Sequence, residues 1–210
     1  MARLKTMNFL TAVFLACLAA VLIGPPASGN ASKAAQTSSD FDPSGSWKGK
    51  DGDLALIVAG DELAFSYLSV FGPSAHICEG GGMARRVTAS RFEYRDDQGA
   101  VAFLVTEGGL RMETVEGVPS FCGANWPGES FPRDGYRPPR KCQVAAARAI
   151  FHAPGPLPPS TGRSYVVEGD VVDVVPLPQG EGGSWLLSRF KGPKKATAGL
   201  LRRSDLRCGP

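Results

Sequence analysis

Residues 65–82 concentrate side chains that could contact a partner. A strand-like apolar run ends at the turn Gly72-Pro73, and one of only two histidines, His76, follows. His76 could hydrogen-bond to a ligand at the mouth of a barrel or pack beside a disulfide, and Glu79 could serve a partner or be a solvated carboxylate. The candidate binding residues of this stretch are Ser69, Phe71, Ser74, His76 and Glu79.

The sequence carries no catalytic pattern. It has no Gly-x-Ser-x-Gly elbow, no His-Glu-x-x-His pair and no phosphate-binding P-loop. Gly80-Gly81-Gly82 lacks the strand–GxGxxG–helix context of a nucleotide site, so these glycines favour a flexible turn, with a close backbone approach as the alternative. We therefore predict no catalytic residues, no cofactor and no metal.

Four cysteines follow the N-terminal region: Cys78, Cys122, Cys142 and Cys208. An even number in an exported chain indicates disulfides, and four cysteines allow three pairings. A metal site, the competing role, lacks close C-x-x-C spacing and nearby histidines. We favour Cys78–Cys122 and Cys142–Cys208, because each bridge would then close a single module.

The N-terminus predicts export. A basic start precedes an uncharged, mostly apolar run over residues 9–23 and a zone of small residues, which is typical of a cleaved signal peptide. The run is shorter than the ~20 residues of a membrane span; an uncleaved anchor and a lipoprotein site at Cys17 are the alternatives. We predict a signal peptide over 1–29, a disordered leader over 30–43, and a periplasmic or secreted protein.

Alternating apolar and polar residues predict antiparallel strands throughout residues 44–137. In residues 54–58 and 91–95 every second side chain falls on the same face. This period is typical of a sheet with one packed and one solvated face. Turns such as Glu107-Gly108-Gly109 separate the segments. Six or seven short strands predict an all-β meander that curls into a small barrel or sandwich.

Residues 140–208 predict a second, smaller all-β barrel. Runs rich in Val, Tyr and Phe are divided by Gly and Pro turns, such as Glu168-Gly169-Asp170. A module of this size has a marginal core, so a disulfide that joins its ends would stabilise it. The boundary falls near residue 138, in a Pro-rich segment.

Charge divides the chain near the same place. Residues 31–130 carry 8 Lys+Arg and 14 Asp+Glu, a net charge of −6, whereas residues 131–210 carry 13 and 6, a net charge of +7. The acidic part suits a basic protein partner, and the basic part suits anionic wall polymer, lipid headgroups or the other module; two solvated surfaces that merely differ are the alternative. A nucleic-acid partner is not expected, because basic and aromatic residues are not interleaved. The candidate polyanion contacts are Lys194, Lys195, Arg202 and Arg203.

The first module resembles a family of small exported bacterial β-domains, some described as lysozyme-inhibitor-like. The shared pattern is S-V-F-G-x-x-x-H-x-C-x-x-x-G-x-A, from Ser69 to Ala84, followed by Phe92-Glu93-Tyr94 and Phe121-Cys122-Gly123. Lysozyme inhibitors push a loop into the cleft between two catalytic carboxylates, so the resemblance implies hydrogen-bond donors at Ser69, Ser74 and His76. Relatives carry two further cysteines where this chain has apolar residues such as Val101 and Val118, which implies that Cys78 pairs with Cys122.

Residues 143–207 resemble a bacterial SH3-like domain. The shared elements are Tyr-Val-Val-x-Gly-Asp-x-Val from Tyr165, a strand with Trp185, Thr-x-Gly-Leu-Leu from Thr197, and Ser204-Asp205-Leu206. Such domains bind peptidoglycan or proteins and are not enzymes by themselves. Together the resemblances imply an exported, non-enzymatic binding protein. It would inhibit a lysozyme-like wall-lytic enzyme while its SH3-like module holds it at the wall, or act as a structural or wall-sensing adaptor.

Overall fold

The structure, a computed structural model, describes residues 41–123, 126–155, 159–178 and 183–209. These residues form two antiparallel sheets and contain no α-helix, so the predicted all-β fold is confirmed. Within the same residues no helix is long and apolar enough to span a membrane. The predicted signal peptide and nearly all of the predicted leader lie outside the described residues.

The first sheet is a nine-stranded meander that curls into a nearly closed barrel. Strands β1 to β8 pair in chain order, and β9 adds to the outer edge of β1. The strands are β1 (Gly45–Lys48), β2 (Gly52–Ala59), β3 (Glu62–Phe71), β4 (His76–Thr88), β5 (Arg91–Arg95), β6 (Gly99–Thr106), β7 (Gly109–Gly117), β8 (Glu129–Pro132) and β9 (Tyr136–Arg137). The largest fully buried side chains inside it are aromatic: Trp47, Tyr67, Phe65, Phe92, Phe103 and Phe131.

The side chain of Glu129, the first residue of β8, joins that strand to the start of β2. Its Oε1 accepts hydrogen bonds from the backbone N–H groups of Asp51 (2.9 Å) and Gly52 (2.8 Å), and the Tyr67 hydroxyl donates to its Oε2 (2.5 Å). Trp126 Nε1 donates to the Tyr67 hydroxyl (3.2 Å). Burial and the Glu129 hydrogen bond raise the pKa of Tyr67, so the phenol stays protonated and remains a donor. A carboxylate thus closes the barrel where β8 and β1 form no ladder.

The second sheet has seven strands and forms a half-barrel. Its order is β12-β11-β15-β14-β13-β10-β16, and every pairing is antiparallel. The strands are β10 (Arg140–Val144), β11 (Arg148–His152), β12 (Thr161–Val167), β13 (Val171–Pro176), β14 (Trp185–Lys191), β15 (Ala196–Arg202) and β16 (Leu206–Cys208). Its core is small and mostly aliphatic, and it contains Val144, Val172, Val174, Leu186 and Leu201.

Both predicted disulfides form, and neither links one sheet to the other. Cys78 on β4 bonds to Cys122 in the loop before β8, across 44 residues of chain. Cys142 on β10 lies opposite Cys208 on β16 and bonds to it across 66 residues. Such bonds persist in an oxidising environment, so the pair indicates an extracytoplasmic setting.

The two sheets pack together through a third apolar cluster, which we call the seam. Ala55, Ile57 and Ala64 from the outer face of β2 and β3 meet Val175, Leu187 and Leu200 from the second sheet. All six are at most 2% exposed. The expectation of a solvated face over residues 54–58 is therefore wrong, because the second sheet covers it. The small side chains of Ala55 and Ala64 let the second sheet approach closely.

One charged residue enters this contact. Arg189 on β14 is 6% exposed. Its guanidinium donates to Asp173 Oδ2 (2.7 and 3.1 Å), Asp42 Oδ2 (2.8 Å) and Ser44 Oγ (3.1 Å), and to the carbonyl oxygen of Val58 (2.8 Å). A buried guanidinium is tolerated only when its donors are satisfied. Arg189 therefore ties the start of the first sheet to the second sheet.

Arg189 lowers the pKa values of the two carboxylates that it contacts, Asp42 and Asp173. Burial alone would raise the pKa of Asp42, but hydrogen bonds from Ser44 and Arg189 outweigh it and lower that pKa below 3.8. Burial would likewise raise the pKa of Asp173, but the hydrogen bond and the charge of Arg189 outweigh it. The pKa of Asp173 is therefore also lowered. Both groups therefore stabilise the folded chain in their ionised form.

We expect Arg189→Met to lower the free energy of unfolding by about 3 kcal/mol, because it leaves Asp42 without a cation and Asp173 with only its longer contacts to Lys141 and Lys191. Arg95→Met, which breaks the exposed pair with Glu116, should lower it far less, because solvent screens that pair. Urea unfolding at pH 7 measures both. Equal losses in the two variants would contradict the role given to Arg189.

The same contact predicts an acid-labile protein. The folded pKa values of Asp42 and Asp173 lie below those of the unfolded chain, so the unfolded chain takes up protons first as the pH falls. Their stabilisation is complete above about pH 5 and is lost at lower pH, through the folded pKa values. Arg189→Met should flatten this loss in urea titrations between pH 3 and 5, whereas an unchanged slope would contradict the assignment.

Candidate functional site

The hairpin of β3 and β4 extends beyond its neighbours. The two strands pair from Glu62 and Arg85 to Phe71 and His76. The ladder between β2 and β3 ends at Gly52 and Ser69, and β5 pairs with β4 only from Arg85 onward. Residues 70–77, which we call the hairpin tip, therefore lie past the end of the β2 ladder.

The Cys78–Cys122 disulfide fixes the base of the hairpin tip. The N–H of Glu79 donates to the Phe121 carbonyl (3.1 Å), so the loop around Cys122 covers the edge of β4 that β5 leaves open. Gly80 lies against the Phe121 ring, where a Cβ would collide with it. The glycine run is therefore part of β4 rather than a flexible turn, and its missing side chain lets the loop pack closely.

The surface of the hairpin tip is apolar on one side. Val70 and Ile77 are cross-strand partners, with 49% and 60% of their surface exposed. The rings of Phe71 and His76, which are also cross-strand partners, lie 5.7 Å apart. Ala75 adopts φ +51°, in the left-handed region, and its N–H donates to the Gly72 carbonyl (3.1 Å). This conformation costs an alanine about 1–2 kcal/mol, and such strain is typical of functional turns.

The structure divides the five candidate residues of this region. Ser74, His76 and Glu79 are exposed, and Phe71 is partly exposed. Ser69 is 2% exposed, and its hydroxyl lies beside that of Tyr67 without a hydrogen bond of normal geometry to any described residue. Ser69 therefore cannot reach a partner at the surface, and the candidate donors of the hairpin tip are Ser74 and His76.

The four candidate polyanion contacts do not form one patch. All four are exposed. Lys194 and Lys195 lie in the turn of the β14–β15 hairpin, beyond the pair Lys191 and Ala196, whereas Arg202 pairs with Trp185 at the opposite end. Six residues of extended strand separate the two ends by about 20 Å. A single compact anion can therefore contact one pair but not both.

Sequence reasoning missed a groove of about 1130 Å³ along the open side of the barrel. Buried residues form its floor and basic residues stand around it, and Leu177 and Pro178 of the second sheet complete it. The floor consists of Trp47, Leu54, Leu110 and Phe131, and the basic residues are Lys48, Lys50, Arg111 and Arg137. Asp53 and Asp134 also line the groove. These residues come from segments far apart in the chain, so no local pattern reveals them.

Comparisons of the chain with protein-family models, with curated proteins and with solved structures found no match. The resemblances to lysozyme-inhibitor-like and SH3-like domains therefore stay predictions. We therefore infer a function from the exposed side chains of the two sheets.

We expect removal of the first disulfide to loosen the hairpin tip. Cys78→Ser with Cys122→Ser should speed amide exchange over residues 69–80, above all at Glu79, and lower the free energy of unfolding by up to about 4 kcal/mol. Cys142→Ser with Cys208→Ser is the matched control, because it should leave exchange at the hairpin tip close to that of the wild type. Hydrogen exchange followed by mass spectrometry compares them, and equal protection of the hairpin tip in both variants would contradict the anchoring role.

Proposed function

We propose that the protein is an exported, non-enzymatic binding protein that inserts its hairpin tip into the cleft of a basic, lysozyme-like wall-lytic enzyme and inhibits it. The observation that carries this proposal is the exposed pair Val70 and Ile77 on a disulfide-anchored hairpin. A protruding apolar pair on a fixed backbone suits a concave partner.

The apolar pair distinguishes the hairpin tip from the rest of the first sheet. Two other large hydrophobic residues of that sheet are exposed, Val87 and Val115, and they lie on different strands. Full burial of a Val or Ile side chain contributes about 1.5–3 kcal/mol. Val70 and Ile77 are roughly half exposed, so their burial in a cleft would contribute on the order of 2 kcal/mol together.

The polar residues of the hairpin tip suit a cleft lined by carboxylates. A carboxylate that loses water on binding must receive replacement donors, or the complex bears its desolvation cost. The Ser74 hydroxyl and the His76 ring are exposed and can donate. Ser74 lies in the turn of the hairpin and His76 directly follows it, so they would reach deepest into such a cleft.

Charge and compartment support the same partner. Residues 31–130 carry a net charge of −6, which favours association with a basic enzyme and speeds encounter at low salt. The disulfides and the signal-like N-terminus suit a periplasmic or secreted protein, where wall-lytic enzymes act.

The second candidate function is an adaptor that contacts the wall without inhibiting an enzyme. The observation in its favour is that Lys194, Lys195, Arg202 and Arg203 are exposed and have no carboxylate partner among the residues described. The resemblance to SH3-like domains is consistent with this role. In either function the second sheet works as part of one body, because the seam covers its Leu187 and Leu200 face.

We expect the intact protein to slow lysis of a cell-wall suspension by a lysozyme-like enzyme. Val70→Asp and Ile77→Asp should each raise the half-inhibitory concentration at least about tenfold, because a charge would be buried in an apolar contact. Val87→Asp and Val115→Asp place the same charge on exposed valines of the same sheet and should change it less than about twofold.

The turbidity assay would be run on a panel of such enzymes at one ionic strength. Absence of inhibition across the panel would contradict the inhibitor proposal and favour the adaptor. An equal loss in the tip variants and the control variants would show that net charge, rather than the hairpin tip, determines binding.

A further inference from the structure

We propose that the second sheet binds an acidic sugar, a pyranose that carries a carboxylate, at one end of the β14–β15 hairpin. The site, which we call the rim site, is a cavity of about 460 Å³. It is lined by Gly183, Ser184, Trp185, Arg202, Arg203 and Ser204. This inference deepens the wall-contact role proposed for the second sheet, and the hairpin tip takes no part in it.

The charge of the rim site calls for an anion. The described residues that line it include two arginines and no Asp or Glu. Across the described residues neither Arg202 nor Arg203 forms an ion pair, whereas Arg91, Arg95 and Arg111 each contact a carboxylate. A guanidinium presents parallel N–H donors that match the two oxygens of a carboxylate. Among the described residues, the lining of the rim site thus supplies two cations and no carboxylate.

Trp185 supplies a surface for a ring. It is partly exposed, whereas Trp47 and Trp126 are only 1% and 5% exposed. The Arg202 guanidinium lies over one face of the indole, 5.1 Å from the ring centre, and the His152 and Trp185 rings form a T-shaped contact with their centres 4.8 Å apart. The indole is therefore held in place beside the arginines, as aromatic platforms in ligand sites require.

His152 positions this platform. Its Nδ1 is enclosed and has no hydrogen-bond partner in the part of the chain that the structure describes. Its backbone pairs with Leu200 of the seam, and its imidazole packs against Trp185. The orientation of the indole is thereby coupled to the contact between the sheets.

The remaining lining favours a sugar over a bare anion. Ser184 and Ser204 are exposed and flank Trp185 and the arginines. The Ser184 hydroxyl can pair with a hydroxyl of a sugar, and the Ser204 hydroxyl, which donates to Asp205 Oδ1 (3.4 Å), can still accept a hydrogen bond from one. A volume of about 460 Å³ falls within the usual range for small-ligand sites and suits one or two sugar rings. An inorganic phosphate would engage the arginines but would leave the indole and the hydroxyls without contacts.

Two sources share this chemistry. Wall glycan that has lost its peptide stems carries a carboxylate on a lactyl ether of its amino sugar, and acidic polysaccharides carry it on uronic acid rings. The test therefore uses a lactyl-ether amino sugar and a glucuronate oligosaccharide as separate probes, with N-acetylglucosamine as the neutral sugar and inorganic phosphate as the bare anion.

Tryptophan fluorescence of the intact protein measures binding, because only Trp185 of the three tryptophans is not buried. We expect a saturable change with at least one acidic sugar and at least about tenfold weaker binding of N-acetylglucosamine and of phosphate. Arg202→Gln should weaken binding of the acidic sugar at least about tenfold. Lys195→Gln removes the same charge at the far end of the hairpin and should change it less than about twofold.

Calorimetry on Trp185→Phe, which keeps a smaller ring but removes the reporter, should show weaker binding of the same sugar. Four results would each overturn the rim site. Neither acidic sugar binds, or the neutral sugar binds as tightly as the acidic sugars, or phosphate binds as tightly as they do. The fourth is an equal loss of affinity for the acidic sugar in Arg202→Gln and Lys195→Gln. Inhibition of lytic enzymes by Arg202→Gln should match the wild type. The two proposals can thus fail separately.

Discussion

The burial of β2 and β3 on both faces is the constraint on which the rest of the structure depends. Their inner faces fill the barrel, and their outer faces carry Ala55, Ile57 and Ala64, which would be an apolar surface in a free barrel. The second sheet covers that surface with Leu187 and Leu200. Arg189 enters the same contact as a charge, and its full set of hydrogen bonds makes the register specific, since a shifted sheet would leave a buried guanidinium unpaired.

The seam also determines which surfaces are free to function. On the second sheet it covers the face that carries Val175, Leu187 and Leu200 and leaves Trp185 partly exposed beside it. On the first sheet the seam lies over β2 and β3, whereas the hairpin tip runs on past the end of β2. The two proposed sites thus lie on parts of the two sheets that the packing leaves uncovered.

The sequence predicts what depends on local pattern. Period-two alternation predicts the strands, and an even cysteine count with modular loops predicts both disulfides. The sequence does not predict that the side chains of Ala55 and Ile57 are buried. Alternation indicates one packed face of a strand, and the residues that cover the other face lie over 100 positions away in the chain. The contact of Arg189 with Asp42 spans 147 residues, and the burial of Ser69 depends on which way the strand faces. For the same reason the sequence does not predict that Lys195 and Arg202, which are close in the chain, lie at opposite ends of a hairpin.

The anchoring of the hairpin tip is what makes an exposed apolar pair useful rather than a liability. A free loop of this length would lose conformational freedom on binding, at about 1 kcal/mol or more for each ordered residue. Here the tip is held by the β3–β4 ladder, by the disulfide at Cys78 and by the bond from Glu79 to Phe121, so most of that cost is met on folding. The burial of the two half-exposed side chains then needs to contribute only a small favourable free energy for binding to occur. The same rigidity limits the range of partners, because a fixed backbone fits only clefts of matching shape.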